Sequence, residues 1–219
     1  RYYEQYRFAD AFASMNRAPE EVAARLLDLP GVSEIDTRVS AMASLEVEGV
    51  AEPATALIVS IPDGRQPRLN RVFLREGRMP DPDRPWEVLV HEAFAQANRM
   101  HPGDTLPAVI RGHRHLLHVT GIGLAPDFVY AVRPGDIMPD DRRFAVIWAQ
   151  RRALGVAMDL DGAFNQVALR LSPGVPEKQV LAAVDRILEP SGCPGSGGRD
   201  TNISHRFLSD EIRQLKSMA

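Results

Sequence analysis

The stretch FNQVALRLSPGVPEKQVLAAVDRIL, residues 164–188, indicates most directly what kind of fold this chain adopts. Its first part alternates apolar and polar residues, as a strand with one buried face does, and the apolar positions are Val167, Leu169 and Leu171. A Pro-Gly pair then predicts a turn. Apolar residues next recur at helical spacing, at Val180, Val184 and Ile187. The stretch therefore predicts a strand followed by a helix that packs back against it.

A second unit of this kind is predicted at the N-terminal end. Residues 7–14 fit a helix or a strand, because their two phenylalanines would share a face in either, and we favour a strand. A helix is predicted to begin near Arg17, with an early proline and acidic residues in its first turn. Its apolar positions are Val22, Leu26 and Leu29, and a Pro-Gly pair ends it. Residues 32–48 and 54–61 are predicted to be extended.

The middle of the chain has a different character. Residues 62–85 contain five prolines together with several arginines and aspartates, which predicts a connecting segment. Beyond it we predict one helix at 92–99 and strands at 87–90, 106–110, 116–122 and 144–149. The second and third of these strands are expected to form a hairpin around residues 111–114.

Strand–helix–strand units at both ends of the chain thus enclose a β-rich block. We predict an α+β fold in which a discontinuous base subdomain of two βαβ-like halves is interrupted by an inserted β-rich subdomain. The predicted boundaries are 1–72 and 164–219 for the base, and 73–163 for the insertion.

Composition excludes several classes of protein. The chain has 219 residues and a formal net charge of −3, whereas nucleic-acid binding needs a concentrated basic surface, so no nucleic-acid partner is expected. A single cysteine, Cys193, excludes an intramolecular disulfide and any CxxC metal site. The longest apolar run, 144–149, is far shorter than the roughly 20 residues that cross a bilayer. Because the sequence starts without methionine, we interpret it as a piece of a longer protein.

The sequence contains no recognisable catalytic constellation. It has no P-loop motif and no GxSxG elbow, and the glycine-rich residues 192–198 lack the lysine and hydroxyl of a P-loop, so a flexible loop is expected there. Asp159-Leu-Asp-Gly162 lacks the later ligands of a calcium loop and predicts a turn. Cys193 has no neighbour that favours a thiolate. Asn202-Ile-Ser204 matches only the short glycosylation pattern.

One cluster of histidines, at positions 113, 115 and 118, is a candidate metal site. His113 and His115 would share a strand face, but His118 would not, so a tetrahedral site lacks its third ligand. A solvated hairpin tip is the favoured interpretation. We therefore assign no catalytic, no cofactor-binding and no metal-binding residue, and expect no cofactor.

The two ends of the chain suggest where it attaches. Tyr2, Tyr3 and Tyr6 are of the type that concentrates at membrane–water interfaces, although a helix that simply packs on the domain explains them equally well. A closing helix is predicted from the spacing of Leu208, Ile212 and Leu215. If both ends lead into membrane helices, Tyr6 and Leu215 must lie on the same side of the domain.

An ordered series of short motifs resembles the extracytoplasmic domain of FtsX-like (MacB-type) ABC transporter permeases, and it covers nearly the whole chain. The first motifs are YYEQYRFADAF (2–12), RAP (17–19), LPGV (29–32), LREGR (74–78), EVLV (87–90) and EAFA (92–95). The later ones are PGD (102–104), VTGI (119–122), PDFVY (126–130), PGD (134–136), GAFN (162–165) and FLSDE (207–211).

The resemblance implies a non-enzymatic domain in a multi-pass protein of the cell (inner) membrane, with this domain in the periplasm. It implies membrane attachment through flanking helices absent from this sequence, and a cognate cytoplasmic ATPase subunit or domain. It also implies a second permease copy or half, and it leaves room for a periplasmic partner protein. The expected role is to couple ATP hydrolysis to an extracytoplasmic conformational change. A periplasmic ligand- or lipid-binding module remains the alternative.

Overall fold

The structure is a computed structural model that describes residues 5–47, 49, 53–136 and 138–202. Within these residues the α-helices are α1 (Glu21–Leu27), α2 (Glu92–Asn98), α3 (Arg151–Met158) and α4 (Glu177–Leu188). The strands up to the middle of the chain are β1 (Ala11–Pro19), β2 (Val32–Arg38), β3 (Ser40–Leu45), β4 (Ala54–Ile61), β5 (Phe73–Gly77) and β6 (Glu87–His91). The later strands are β7 (Thr105–Ile110), β8 (His113–Leu124), β9 (Phe144–Gln150), β10 (Ala163–Leu171) and β11 (Gly197–Gly198). The predicted α+β class is confirmed.

One of the two sheets is built from both ends of the chain. Its strand order is β11-β1-β10-β2, and each described pairing in it is antiparallel. The units β1-α1-β2 and β10-α4-β11 therefore interleave, as in a split βαβ arrangement. Helices α1 and α4 cover one face, where Leu26 and Val184 are fully buried against Phe164 of β10. The predicted alternation in β10 is borne out, since Val167 and Leu169 face this core.

The other sheet closes on itself. Its order is β5-β8-β6-β9-β4-β3-β7, and a further pairing joins β7 to β8. Six strands therefore form a barrel, and β5 lies as an extra strand along the end of β8. Fully buried Ile58, Val88 and Ile147 belong to its core cluster, together with Phe94 of α2 and Leu154 of α3.

The barrel contains a structural repeat, although no repeat is apparent in the sequence. Strands β6 and β9 are each followed directly by a short helix. Each helix ends at a residue with left-handed backbone, Arg99 at φ 55° and Asp159 at φ 58°. The next residue then donates its backbone N–H into the last turn, from Met100 to Ala95 and from Leu160 to Gly155.

Several predicted bounds were wrong near the N-terminus. Helix α1 begins at Glu21, not near Arg17, because β1 continues to Pro19, which pairs with Ala163 of β10. Residues 32–48 do not form one extended segment. The chain leaves the first sheet at Val39, whose N–H is bonded to the side chain of Ser60 (Oγ at 2.8 Å), and enters the barrel as β3.

Other bounds in the middle were also wrong. The segment 62–85, predicted as connecting, contains β5. Helix α3 was missed because its buried residues are mostly small, Ala153, Leu154 and Gly155. The hairpin turn contains two residues rather than four, since Arg111 and Gly112 both have positive φ, the geometry of a tight I′ turn.

The division into a base at 1–72 and 164–219 and an insertion at 73–163 remains a prediction. The assignment of strands to the two sheets follows different boundaries. β3 and β4 lie before residue 72 in sequence but belong to the barrel, so the chain changes sheet at Val39 and returns between α3 and β10. The predicted closing helix with Leu208, Ile212 and Leu215, and the relation of Tyr6 to Leu215, lie outside the described residues. None of the described helices is both long and apolar enough to cross a membrane.

Candidate functional site

The histidines of the predicted hairpin lie on β8 but do not converge. His113 and His115 are two residues apart on the strand, and the His115 ring packs on Trp86 with the ring centroids 4.2 Å apart. Partial burial lowers the pKa of His115, and the neighbouring His113 lowers it further. In the described part of the chain, no three His, Cys, Asp or Glu side chains are grouped so that they could hold a metal ion.

The glycine-rich loop has a structural role. Gly197 and Gly198 form β11 and pair with β1, although a flexible loop was predicted there. A Cβ at Gly198 would lie 2.0 Å from Oε1 of Glu177, so a larger residue there would displace the end of that side chain. Cys193 is half-buried and packs against the core of the same sheet.

The most distinctive polar feature is the junction between the four-stranded sheet and the barrel, which we call the sheet junction. It is defined by Arg38, Asp127, Glu20, Arg151 and Asn165. Arg38 ends β2, Glu20 precedes α1, and Asn165 lies in β10. Asp127 and Arg151 belong to the barrel side, in the turn after β8 and at the start of α3. Sequence reasoning selected none of these as functional residues.

An ion pair forms the centre of the sheet junction. Nη1 of Arg38 lies 2.7 Å from Oδ2 of Asp127, and the two side chains are only 6% and 3% exposed. Burial raises the pKa of the Asp127 carboxyl, and the charge and hydrogen bond of Arg38 oppose that shift. Arg38 also faces the backbone oxygen of Leu69, at 3.5 Å. The ion pair therefore joins the first sheet to the barrel through atoms that water does not reach.

The connecting loop 62–72 is tied to the same region. The N–H of Leu69 donates to Oδ2 of Asp36 at 2.5 Å, and the N–H of Ala9 donates to Oδ1 of Asn70 at 2.8 Å. Burial raises the pKa of Asp36, while the hydrogen bond from Leu69 lowers it. The loop thus connects the N-terminal segment to β2 beside the sheet junction.

A second ion pair lies at the start of α1. Arg151 donates to Oε1 of Glu20 and to the carbonyl of Ala163, the latter at 2.7 Å. Oγ1 of Thr37 donates to Oε2 of Glu20 at 3.2 Å. Burial lowers the pKa of the Arg151 guanidinium, and Glu20 raises it. One carboxylate therefore links α1, β2 and the barrel helix α3.

The third connection is uncharged. Asn165 accepts a hydrogen bond from the N–H of Ser40 at 2.7 Å and donates to the Ser40 carbonyl at 2.9 Å. This bidentate contact sits where the chain crosses from one sheet to the other. All three connections are partly or fully buried and hydrogen-bonded, so they hold the two sheets together at the sheet junction.

Several cavities open on the described residues, including one of about 720 Å³ beside Asn98 and Thr105. A groove of about 300 Å³ follows the sheet junction between Phe12 of β1 and the turn with Asp127 and Phe128. A larger cavity of about 740 Å³ lies on the flank of the barrel around Trp86.

Two residues of the sheet junction could have been found from the sequence. Asp127 belongs to the motif PDFVY and Asn165 to GAFN, both of which carried the family resemblance. Their partners Arg38, Glu20 and Arg151 have no comparable signal, because their roles depend on long-range pairing.

The fold described here is that of extracytoplasmic domains of ABC-type transporters, which confirms the resemblance at the level of the fold. No protein-family model and no curated protein matches the chain. Among solved structures it is similar to the extracellular domain of the noncanonic ABC-type transporter YknZ from Gram-positive bacteria. That match has 9% identity and a TM-score of 0.53 and covers 87% of this chain and 98% of that one.

It is also similar to the periplasmic region of MacB from Actinobacillus actinomycetemcomitans. There the identity is 11% and the TM-score 0.51, with 98% of this chain and 96% of the other covered. Identities this low establish a shared fold, and a shared fold alone does not establish a shared function.

Proposed function

We propose that this chain is the non-enzymatic extracytoplasmic domain of an ABC transporter permease of the FtsX-like kind. The observation that carries the proposal is the fold, which extends over 87% and 98% of the chain in the two comparisons. Helices outside this sequence anchor it in the inner membrane, where a cognate ATPase acts on the cytoplasmic side. A second permease copy or half completes the transporter, and a periplasmic protein is a further partner.

In this role the domain transmits conformational change and makes or breaks no covalent bond. The buried contacts of the sheet junction support this, because transmission requires elements that move together. The ion pairs Arg38–Asp127 and Arg151–Glu20 connect the split βαβ sheet to the barrel. A movement of the membrane helices would then displace the barrel together with the base.

Location is tested with a thiol reagent that does not cross membranes. The full-length protein is expressed with Cys193 and every cysteine outside this sequence replaced by Ser, and Arg111→Cys supplies one thiol at the exposed hairpin turn. We expect labelling in intact spheroplasts. Labelling that requires permeabilised membranes would contradict an extracytoplasmic position. As a control, Leu89→Cys, which is buried in the barrel wall, is expected to stay unlabelled in both conditions.

A second candidate function is a periplasmic ligand- or lipid-binding module. The cavity at Trp86 favours it, since its volume falls within the range of about 300–1,000 Å³ usual for small-molecule sites. The two roles differ in their requirements, because a binding module needs an occupied cavity and a transmission domain needs a rigid sheet junction.

A further inference from the structure

The cavity on the flank of the barrel has an apolar wall and a charged mouth, and we call it the Trp86 cavity. Its volume is about 740 Å³. Trp86, Leu116 and Pro102 contribute to the apolar wall, and the side chains of Arg78 and Arg84 lie at the mouth. It is lined by the start of β6, by β8 and by the turn at Pro102 and Gly103, and it shares no lining residue with the sheet junction.

The apolar wall is held open by the surrounding structure. The Trp86 indole packs against His115, and the backbone carbonyl of Trp86 accepts a hydrogen bond from the backbone N–H of His118 at 2.8 Å. Leu116 follows His115 on β8 and therefore points to the other face of that strand, where it is 48% exposed and lines the cavity. Exposed apolar surface that lines a concave site is characteristic of ligand binding.

The mouth carries charges of both signs, since Asp83 and Glu87 line the cavity together with Arg78 and Arg84. Arg78 makes a bidentate ion pair with the buried carboxylate of Glu87, with distances of 2.6 and 2.7 Å, and Nη1 of Arg84 lies 3.4 Å from Oε1 of the same group. These arginines lower the pKa of Glu87 to about 2, so the pair stays charged at neutral pH. Glu87 is 5% exposed, whereas the side chains of Arg78 and Arg84 are 54% and 69% exposed. The two guanidiniums therefore face solvent, and their shared counterion lies beneath them.

We propose that the Trp86 cavity binds an amphipathic anion, a molecule with one anionic head and an apolar chain. The chain packs against Trp86 and Leu116. The anionic head pairs with the Arg84 guanidinium. Within the described residues this guanidinium contacts Glu87 through Nη1 alone, which leaves Nη2 and Nε to donate to the head. Because the wall is concave, the occupant is a single soluble amphiphile and not a flat membrane surface. The site is independent of the proposed transporter role, which its failure would leave standing.

The test uses the two tryptophans of the chain. Trp148 is 2% exposed, and Trp148→Phe removes its emission, so that the change on binding in this variant comes from Trp86. The probe is dodecanoate below its critical micelle concentration, and the comparator is dodecyltrimethylammonium, which has the same chain length with a cationic head. We expect dodecanoate to change the Trp86 emission saturably. The cationic probe should bind at least tenfold more weakly, a difference in binding free energy of about 1.4 kcal/mol. No saturable change, or equal affinity for both probes, would overturn the proposal.

Matched variants locate the site. Leu116→Asp is compared with Met42→Asp, because both side chains are 48% exposed on barrel strands. Arg84→Gln is compared with Arg114→Gln, because both arginines are exposed, at 69% and 67%, and both are paired with a glutamate. Leu116→Asp and Arg84→Gln should each weaken dodecanoate binding about tenfold, and their controls should bind as the parent does. Equal affinity in all four variants would contradict the assignment.

Vesicles distinguish a free amphiphile from a lipid surface. Phosphatidylglycerol vesicles present the same anionic and apolar chemistry as a bilayer. We expect them to leave the Trp86 emission unchanged at lipid concentrations equal to saturating dodecanoate. A response to vesicles with none to dodecanoate would overturn the proposal in favour of membrane docking.

Discussion

Arg38 and Asp127 form a buried ion pair that spans the two sheets of the domain, with Nη1 and Oδ2 2.7 Å apart. They are separated by 89 positions in sequence, since Arg38 ends β2 of one sheet and Asp127 lies in the turn after β8 of the other. A buried charge is tolerated only when it is paired, so the two residues depend on each other.

Replacement of Asp127 by Asn should destabilise the domain by about 3–5 kcal/mol, because it leaves the Arg38 charge buried without its counterion. The measurement is the free energy of unfolding from urea titration. The control, Arg114→Gln, removes an exposed ion pair with Glu46 and should change that free energy by less than about 1 kcal/mol. Equal effects of the two substitutions would contradict the role of the buried pair.

We predict that the domain loses stability in acid because the Glu87 carboxylate becomes protonated. Its pKa is about 2 in the folded protein against 4.5 in the unfolded chain, so its stabilising contribution is present above pH 4.5 and is lost as the pH falls towards 2. Since Arg78 and Arg84 are solvent-exposed, we expect about 1–2 kcal/mol. The difference in unfolding free energy between the parent and Glu87→Gln should shrink over this window. A difference that stays constant from pH 6 to pH 2 would contradict the prediction.

We predict a second dependence of stability on pH, at higher pH values, from the buried His91. Its Nε2 faces the carbonyl of Phe128 at 2.7 Å and its Nδ1 accepts the N–H of Ala93, so the neutral ring is the form that fits. Burial lowers its pKa below 6.5, so the unfolded chain binds a proton first and stability falls as the pH drops below 6.5.

The matched variant for this prediction is His91→Gln, since Gln150 ends β9 of the structural repeat as His91 ends β6. Thermal unfolding of parent and variant is compared from pH 7.5 to pH 5. The parent should lose more of its melting temperature over that range than the variant. Parallel curves would show that His91 does not titrate between the folded and unfolded states.

Gly77 and Gly112 form a pair of glycines with the same backbone requirement and different surroundings. Both have positive φ, 79° and 81°, but a Cβ at Gly77 would lie 2.2 Å from the Thr120 carbonyl, and a Cβ at Gly112 would meet no atom within 4 Å. Gly112→Ala should cost about 1 kcal/mol for the backbone conformation alone. Gly77→Ala should cost at least about 2 kcal/mol more, because β5 must move away from β8. Equal unfolding free energies would rule out the steric contribution.

Local patterns in the sequence predicted the elements that bury one face. The alternation in β10 and the spacing of Val180 and Val184 in α4 are clear because each element has a single partner layer. Helix α3 was missed because small residues suffice where it packs closely on the barrel. The break at Val39 was missed because residues on both sides of it are extended, and only long-range pairing assigns them to different sheets.

The candidate site was less accessible to sequence reasoning than the fold. The pairs Arg38–Asp127 and Arg151–Glu20 join residues more than 80 positions apart, and neither arginine differs in local pattern from the other arginines of the chain. The Trp86 cavity likewise depends on the packing of β6 against β8. The histidines drew attention as a cluster, but their contacts are to Trp86 and to solvent.

The central claim is that this domain moves with the membrane helices of an ABC transporter, and energy transfer tests it most directly. The full-length permease with its ATPase is placed in nanodiscs that contain acceptor-labelled lipids. A donor is attached at Arg111→Cys in the Cys193→Ser background, at the hairpin turn of the barrel. We predict that ATP changes the transfer efficiency and that hydrolysis restores it.

Insertion variants test whether the change passes through the chain that leaves the domain. A flexible Gly-Ser segment inserted after Ala219 should abolish the change in transfer while ATP hydrolysis continues. The same segment inserted between Gly174 and Val175, in an exposed turn of the base, should leave the change in transfer intact. Transfer that is unaffected by ATP in the parent protein would contradict the claim.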